Sequence, residues 1–181
     1  MERYRIVFSG SGGQGVITAA IILAEAAVLH DNLTAVQTQA YGAAARGGAT
    51  RSDVIISDST IDFPKVNQPN ILICLTQEAY NRFYPIIRPG GLLITDQRYV
   101  KTERKVDAVQ RELPLYKTVM EKIGRPIVHN ICMLGAVIGL TGLVRPESLM
   151  KVLEKRIPKT FLEMNRTALS LGIELTESLK K

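Results

Sequence analysis

The residues whose spacing could carry chemistry begin at position 10. Gly10-Ser-Gly12-Gly13-Gln14-Gly15 is a G-x-G-x-x-G that follows a strand-like run and opens an apolar, helix-like stretch. Glycines in such a loop let the backbone approach a pyrophosphate, while the N–H groups and dipole of the following helix favour its charge. A dinucleotide fingerprint also calls for an acid about 20 residues further on, to accept a hydrogen bond from the ribose. Here the second strand ends in Gln37-Thr38-Gln39, and no Asp or Glu occurs between Asp31 and Asp53. Two readings stay open at this point: NAD(P) or FAD binding, or a tight strand–turn–helix that packs closely or contacts another ligand.

A second segment, Tyr41-Gly42-Ala-Ala-Ala-Arg46-Gly47-Gly48-Ala-Thr-Arg51, lies between the second and third strand candidates. A guanidinium beside flexible glycines suits a phosphate, a carboxylate or a partner's acidic side chain. The alternative is that Gly47 and Gly48 only supply unusual torsions and Arg46 is solvated. The rest of the inventory is sparse. His30 and His129 read as helix-end or loop residues, and Cys74 and Cys132, each inside an apolar run, read as buried free thiols in a reducing compartment. The chain has no CxxC, G-x-S-x-G, G-x-x-x-x-G-K-[ST] or H-E-x-x-H. No catalytic residue and no metal ligand set is therefore assigned.

The elements that must position these loops alternate short β-rich runs with helical stretches, the pattern of βαβ units. Strands are expected over residues 5–9, 34–37, 52–57, 71–75 and 92–95, with a largely buried helix over 16–29 and another over 78–87. Residues 97–127 should hold one or two short strands and a short helix near 118–123. From residue 130 the chain reads as helical, and Gly135 and Gly139, four apart, leave one helix face open to another backbone. Pro146-Glu147 reads as a helix start. Together these define an α/β fold, a Rossmann-like doubly wound, mostly parallel sheet with a helical C-terminal third, in a single domain spanning 1–181.

The composition excludes several classes. With 46% hydrophobic and 22% charged residues, the chain is neither disordered nor, lacking a long apolar run, membrane-spanning. No signal-peptide pattern opens it, and a cytoplasmic protein is expected. The net charge of +6 falls in the last 81 residues, which carry 15 Lys/Arg against 9 Asp/Glu. Nucleic acid is a poor partner for this excess, because only 6% of residues are aromatic, none is Trp, and no basic stripe carries a stacking platform. An acidic protein surface and an anionic coenzyme both remain open as partners for it, since charge alone does not choose between them.

Several stretches combined resemble a known family. Phe8-Ser-Gly10-Ser-Gly12-Gly13-Gln14-Gly15-Val, Val36-Gln37-Thr38-Gln39, Arg46-Gly47-Gly48, Ser52-Asp-Val-Ile-Ile-Ser57, Pro64-Lys65-Val66, Leu75-Thr-Gln77-Glu78-Ala79-Tyr80 and Asn130-Ile-Cys-Met-Leu-Gly135-Ala136 resemble the gamma subunit of 2-oxoacid:ferredoxin oxidoreductases, most of all the 2-oxoglutarate enzymes. The resemblance implies a gamma-type domain in an assembly that oxidatively decarboxylates a 2-oxoacid on thiamine diphosphate. Electrons would pass through iron–sulfur clusters to ferredoxin, and the acyl group to coenzyme A. It implies alpha and beta subunits that bind the thiamine, a ferredoxin-like delta subunit, and no cofactor held by this chain alone. A ligand- or interface-facing role then falls on Gly10, Gly12, Gly13, Gln14, Gly15, Arg46, Gly47 and Gly48, with Asn130 beside that edge. One departure stands out: Ala43-Ala44 occupy the place where such proteins commonly carry Pro-Glu, so no contact through that glutamate carries over.

Overall fold

The computed structural model describes residues 3–40, 49–103, 105–177 and 179. Six strands form one sheet in the order β2-β3-β1-β4-β5-β6. They are β1 (Tyr4–Gly10), β2 (Thr34–Ala40), β3 (Thr50–Ser57), β4 (Ile71–Cys74), β5 (Gly91–Asp96) and β6 (Ala108–Leu113). β1, β4, β5 and β6 run parallel, whereas β3 pairs antiparallel with both β1 and β2. The expected strands are all present, and the charged stretch after residue 97 supplies β6 and a short helix. β3 departs from the all-crossover pattern: β2 and β3 form a hairpin, and β3 stands between β1 and β2.

Alternation along the strands sends side chains to two cores. Ile6, Phe8, Val54, Ile56, Ile71, Ile73 and Ile94 enter the larger one, with α1 (Val16–His30), α3 (Leu115–Lys122), α4 (His129–Thr141), α5 (Pro146–Arg156) and α6 (Lys159–Glu177). Val7, Ile55, Leu72, Cys74 and Leu93 enter the smaller one on the opposite face, under α2 (Gln77–Phe83). α4 is buried from His129 through Gly139, as its near-absence of polar residues requires. Its glycine spacing is used by α6: a Cβ at Gly135 would overlap the carbonyl oxygen of Leu169, and one at Gly172 that of Cys132. Among the described residues, no helix is long and apolar enough to cross a membrane.

Part of the C-terminal cationic excess closes the fold internally. Arg156 pairs with Glu25 on α1, and Arg145 donates from Nε to Asp31 Oδ1 (2.8 Å) and from Nη2 to the His30 carbonyl (2.6 Å). These bonds fasten α5 to the C-terminal half of α1 and its cap. Burial alone would raise the Asp31 carboxyl, but hydrogen bonds from Ser148 Oγ and from the Arg145 backbone and side chain outweigh it, and its pKa lies below the ordinary value. A depressed carboxylate stabilises the fold above its unfolded pKa, and the contribution disappears as pH falls through the folded value. Asp31→Asn is expected to lower unfolding stability by about 1–2 kcal/mol at pH 7. In urea titrations across pH, the gap from wild type should close below about pH 4, the unfolded carboxylate range; a gap independent of pH would contradict the assignment.

Candidate functional site

The parallel strands end at one edge of the sheet, where Gly10 pairs with Thr50. The glycine loop and the β2–β3 connection therefore leave from the same edge. Arg46, Gly47 and Gly48, expected to face a ligand or interface, lie outside the described residues. Gly10 is backed by its own loop: Gln14 folds over it, accepting from the Ser11 N–H at 2.8 Å and donating to the Leu75 carbonyl at 3.4 Å. Gln14 thus ties the loop to the end of β4. Gly12 and Gly13 have open space where a Cβ would stand. Gly15 caps α1 with φ 71°, a left-handed conformation that disfavours side chains, and a Cβ there would overlap the Asn130 amide. Asn130 Nδ2 donates to the Gly15 carbonyl at 3.3 Å, so two regions 115 residues apart in sequence meet.

Beyond this contact opens a cavity of about 760 Å³. Gly13, Gln14, Gly15 and Thr18 form its floor, the start of α4 one side, and Ile157, Pro158, Phe161, Met164 and Asn165 the wall opposite. The N-termini of α1 and α4 both open on it. Neither has a side-chain cap or an acid in its first turn, so both positive dipole ends face the cavity, although the first N–H of α4, at His129, donates to the Pro126 carbonyl. The walls are apolar and partly open, with Ile127 77% and Phe161 50% exposed. Arg125 and Lys159, both exposed, neighbour the wall residues Pro126 and Pro158 in sequence. The arrangement can hold the anionic part of a ligand at the helix ends and its apolar part along the α6 wall.

Sequence reading missed the group behind this cavity. Asp96, fully buried at the end of β5, accepts from the backbone of Arg98 (2.8 Å) and Tyr116 (2.8 Å) and hydrogen-bonds His129 Nε2 (2.7 Å). His129 opens α4 as a buried residue, and its ring lies edge-on to Tyr99 and Tyr116, centroids 6.4 and 6.0 Å away. Burial, reinforced by Tyr116 and Asp96, raises the Tyr99 phenol pKa. The signal available in sequence was an acid ending an apolar strand together with a histidine opening an uncharged helix. Their separation of 33 positions hid the pairing.

The cysteines are placed as the sequence suggested. Cys74 faces the smaller core and Cys132 the larger, on opposite sides of the sheet, and burial pushes both thiols up to about 12. Among the described residues, no group of three or more His, Cys, Asp or Glu could hold a metal ion. The side chains present therefore do not fit an iron–sulfur cluster.

This fold, with a glycine-rich crevice at the carboxyl edge of the sheet, is that of oxidoreductase gamma subunits. The gamma subunit of a keto/oxoacid ferredoxin oxidoreductase from Geobacter sulfurreducens superposes with a TM-score of 0.91 at 41% identity, both chains covered at 100%. A 2-oxoglutarate synthase subunit KorC from Methanocaldococcus jannaschii is 46% identical over 179 residues, 98% of this chain and 96% of that protein. A 2-oxoglutarate:ferredoxin oxidoreductase from Magnetococcus marinus shares the fold (TM-score 0.88, 20% identity), covering 98% of this chain but 32% of that longer one. Residues 5–175 match the pyruvate ferredoxin/flavodoxin oxidoreductase family, and the chain belongs to it.

Proposed function

We propose that the chain is the gamma subunit of a thiamine-diphosphate-dependent 2-oxoacid:ferredoxin oxidoreductase acting on 2-oxoglutarate. Its cavity would lie on the coenzyme A side, while alpha, beta and ferredoxin-like delta subunits hold the thiamine and the clusters. The observation that carries this reading is the cavity, where two uncapped helix N-termini meet an apolar wall. That combination suits a ligand with phosphates at one end and a long, weakly polar arm. Four curated relatives, each 37–46% identical, are 2-oxoglutarate synthase subunits, which supports the choice of 2-oxoacid. Bound there, coenzyme A would supply the thiol that accepts the acyl group. Gly13, Gly15 and the first turn of α4 would hold its anionic part, and Phe161 and Met164 would exclude water from its arm.

A free-standing NAD(P) or FAD enzyme is not favoured, for a topological reason. In the dinucleotide fold the second strand lies beside the first and brings its acid to the ribose. Here β3 intervenes, and β2 carries glutamines.

The test is reconstitution with the partner subunits and an assay of coenzyme A-dependent ferredoxin reduction on a panel of 2-oxoacids. Phe161→Ala, at a half-exposed position, is expected to raise the KM for coenzyme A about tenfold with kcat nearly unchanged, as loss of a binding contact worth about 1.4 kcal/mol requires. Activity that survives omission of this chain would refute the subunit reading. An unchanged KM for coenzyme A would refute only the placement of the coenzyme.

A further inference from the structure

The two edges of the sheet differ in a way that the proposed activity does not explain. β2 pairs with β3 along its whole length, from Thr34↔Ser57 to Ala40↔Arg51, without a bulge. Among the described residues no strand pairs with its other side. An open edge presents a row of unpaired N–H and C=O groups, and natural sheets blunt it with charge, proline, bulges or short length. β2 does none of this: Thr-Ala-Val-Gln-Thr-Gln-Ala is seven residues long, regular and uncharged. β6, at the opposite edge, carries Arg111 and Glu112 and follows Asp107. Large apolar side chains also stand beside the β2 edge. Val28 and Leu29, at the end of α1, are 46% and 58% exposed, and the Leu33 N–H donates to the Ala27 carbonyl, holding the start of β2 against that helix end.

We propose that β2 pairs with β2 of a second copy of this chain across a two-fold axis, joining two six-stranded sheets into one of twelve. The strand is self-complementary. An antiparallel pair centred on Gln37 sets Val36 opposite Thr38, Ala35 opposite Gln39 and Thr34 opposite Ala40, so no like charges meet and β-branched residues face one another. Gln37, whose amide donates to Ser52 Oγ at 2.7 Å, keeps its amide oxygen to accept across the axis. The same two-fold sets both α1 helices, which pack over β2 and β3, on one face of the joined sheet, so that Val28 and Leu29 flank the seam. Because the contact is isologous it closes at two copies, and the edges left open are the two charged β6 strands.

The experiment compares the full-length wild-type chain with two variants by sedimentation velocity, circular dichroism and amide hydrogen exchange. The wild type is expected at twice the 20.0 kDa chain mass, with slowly exchanging β2 amides. Thr38 is exposed, so Thr38→Lys should keep the fold while setting charge into the seam. It should weaken dimerisation at least about tenfold and release the β2 amides. Val109→Lys, on the exposed face of β6, should remain dimeric. A monomeric wild type, a dimer that survives Thr38→Lys, or β2 amides protected only after partner subunits are added would each overturn the proposal.

Discussion

Asp96→Ala is expected to destabilise the chain by about 3–5 kcal/mol, a large share of the roughly 5–15 kcal/mol that holds a domain of this size together. The reason is the number of elements that depend on one carboxylate. Asp96 Oδ1 accepts from the Arg98 N–H, and Oδ2 takes both the Tyr116 N–H and His129 Nε2. The end of β5, the first turn of α3 and the first residue of α4 thus converge on a side chain with no solvent exposure. Removing it strands two backbone donors and one ring nitrogen, and an unsatisfied buried group costs more than the bond contributed. Asp96→Asn should fall between wild type and alanine: it keeps the shape but turns one acceptor into a donor facing other donors. Urea unfolding midpoints measure both. The second consequence is local, because Tyr99, Tyr116 and His129 line the cavity and are set by this carboxylate. Ligand affinity should therefore fall even at temperatures where the alanine variant is fully folded. An unfolding midpoint equal to wild type would show that the buried network holds nothing together.

The same cluster shows where sequence reading stops. Strand positions were legible because β-branched runs bounded by Gly, Pro and Asn have few other places to go, and α1 because its single charge leaves no polar face. Gly135 and Gly139 announced a close backbone approach through spacing alone, although the partner helix could not be named. Strand direction left no trace: a strand alternates with the same period whichever way it runs, so nothing in residues 50–57 marks β3 as antiparallel or places it between β1 and β2. For the site, the glycine loop and Asn130 were visible as motifs. Asp96 with His129, and Asp31 with Arg145 114 positions later, are single residues that only the tertiary fold brings together.

Gly172→Ala is expected to produce the other large effect, although alanine favours a helix over glycine by about 1 kcal/mol. In α6 the added methyl would overlap the Cys132 carbonyl oxygen and stand 2.8 Å from the Ala136 nitrogen and 2.9 Å from the Cys132 carbonyl carbon. All three atoms belong to the backbone of α4, so no rotamer change can make room. Gly135 mirrors the contact, its Cα side lying against Leu169 and, at 3.2 Å from an added Cβ, the Cα of Gly172. The helices can only move apart, which uncovers packed side chains along both and costs about 3 kcal/mol against the 1 gained, a net loss of about 2. Gly12→Ala is the matched control: nothing stands within 4 Å of a Cβ there, and its stability should stay within about 0.5 kcal/mol of wild type. The seam also sets the width of the cavity, since α4 contributes His129 and Asn130 to one wall and α6 contributes Phe161, Met164 and Asn165 to the other. A Gly172 methyl that separates the helices must therefore widen the cavity as well as weaken the fold. The folded variant should bind its ligand more weakly while Gly12→Ala, within the loop itself, stays stable. A Gly172→Ala protein as stable as wild type would mean that α6 slides along α4 without loss, and the α6 wall could not then be a fixed part of the site.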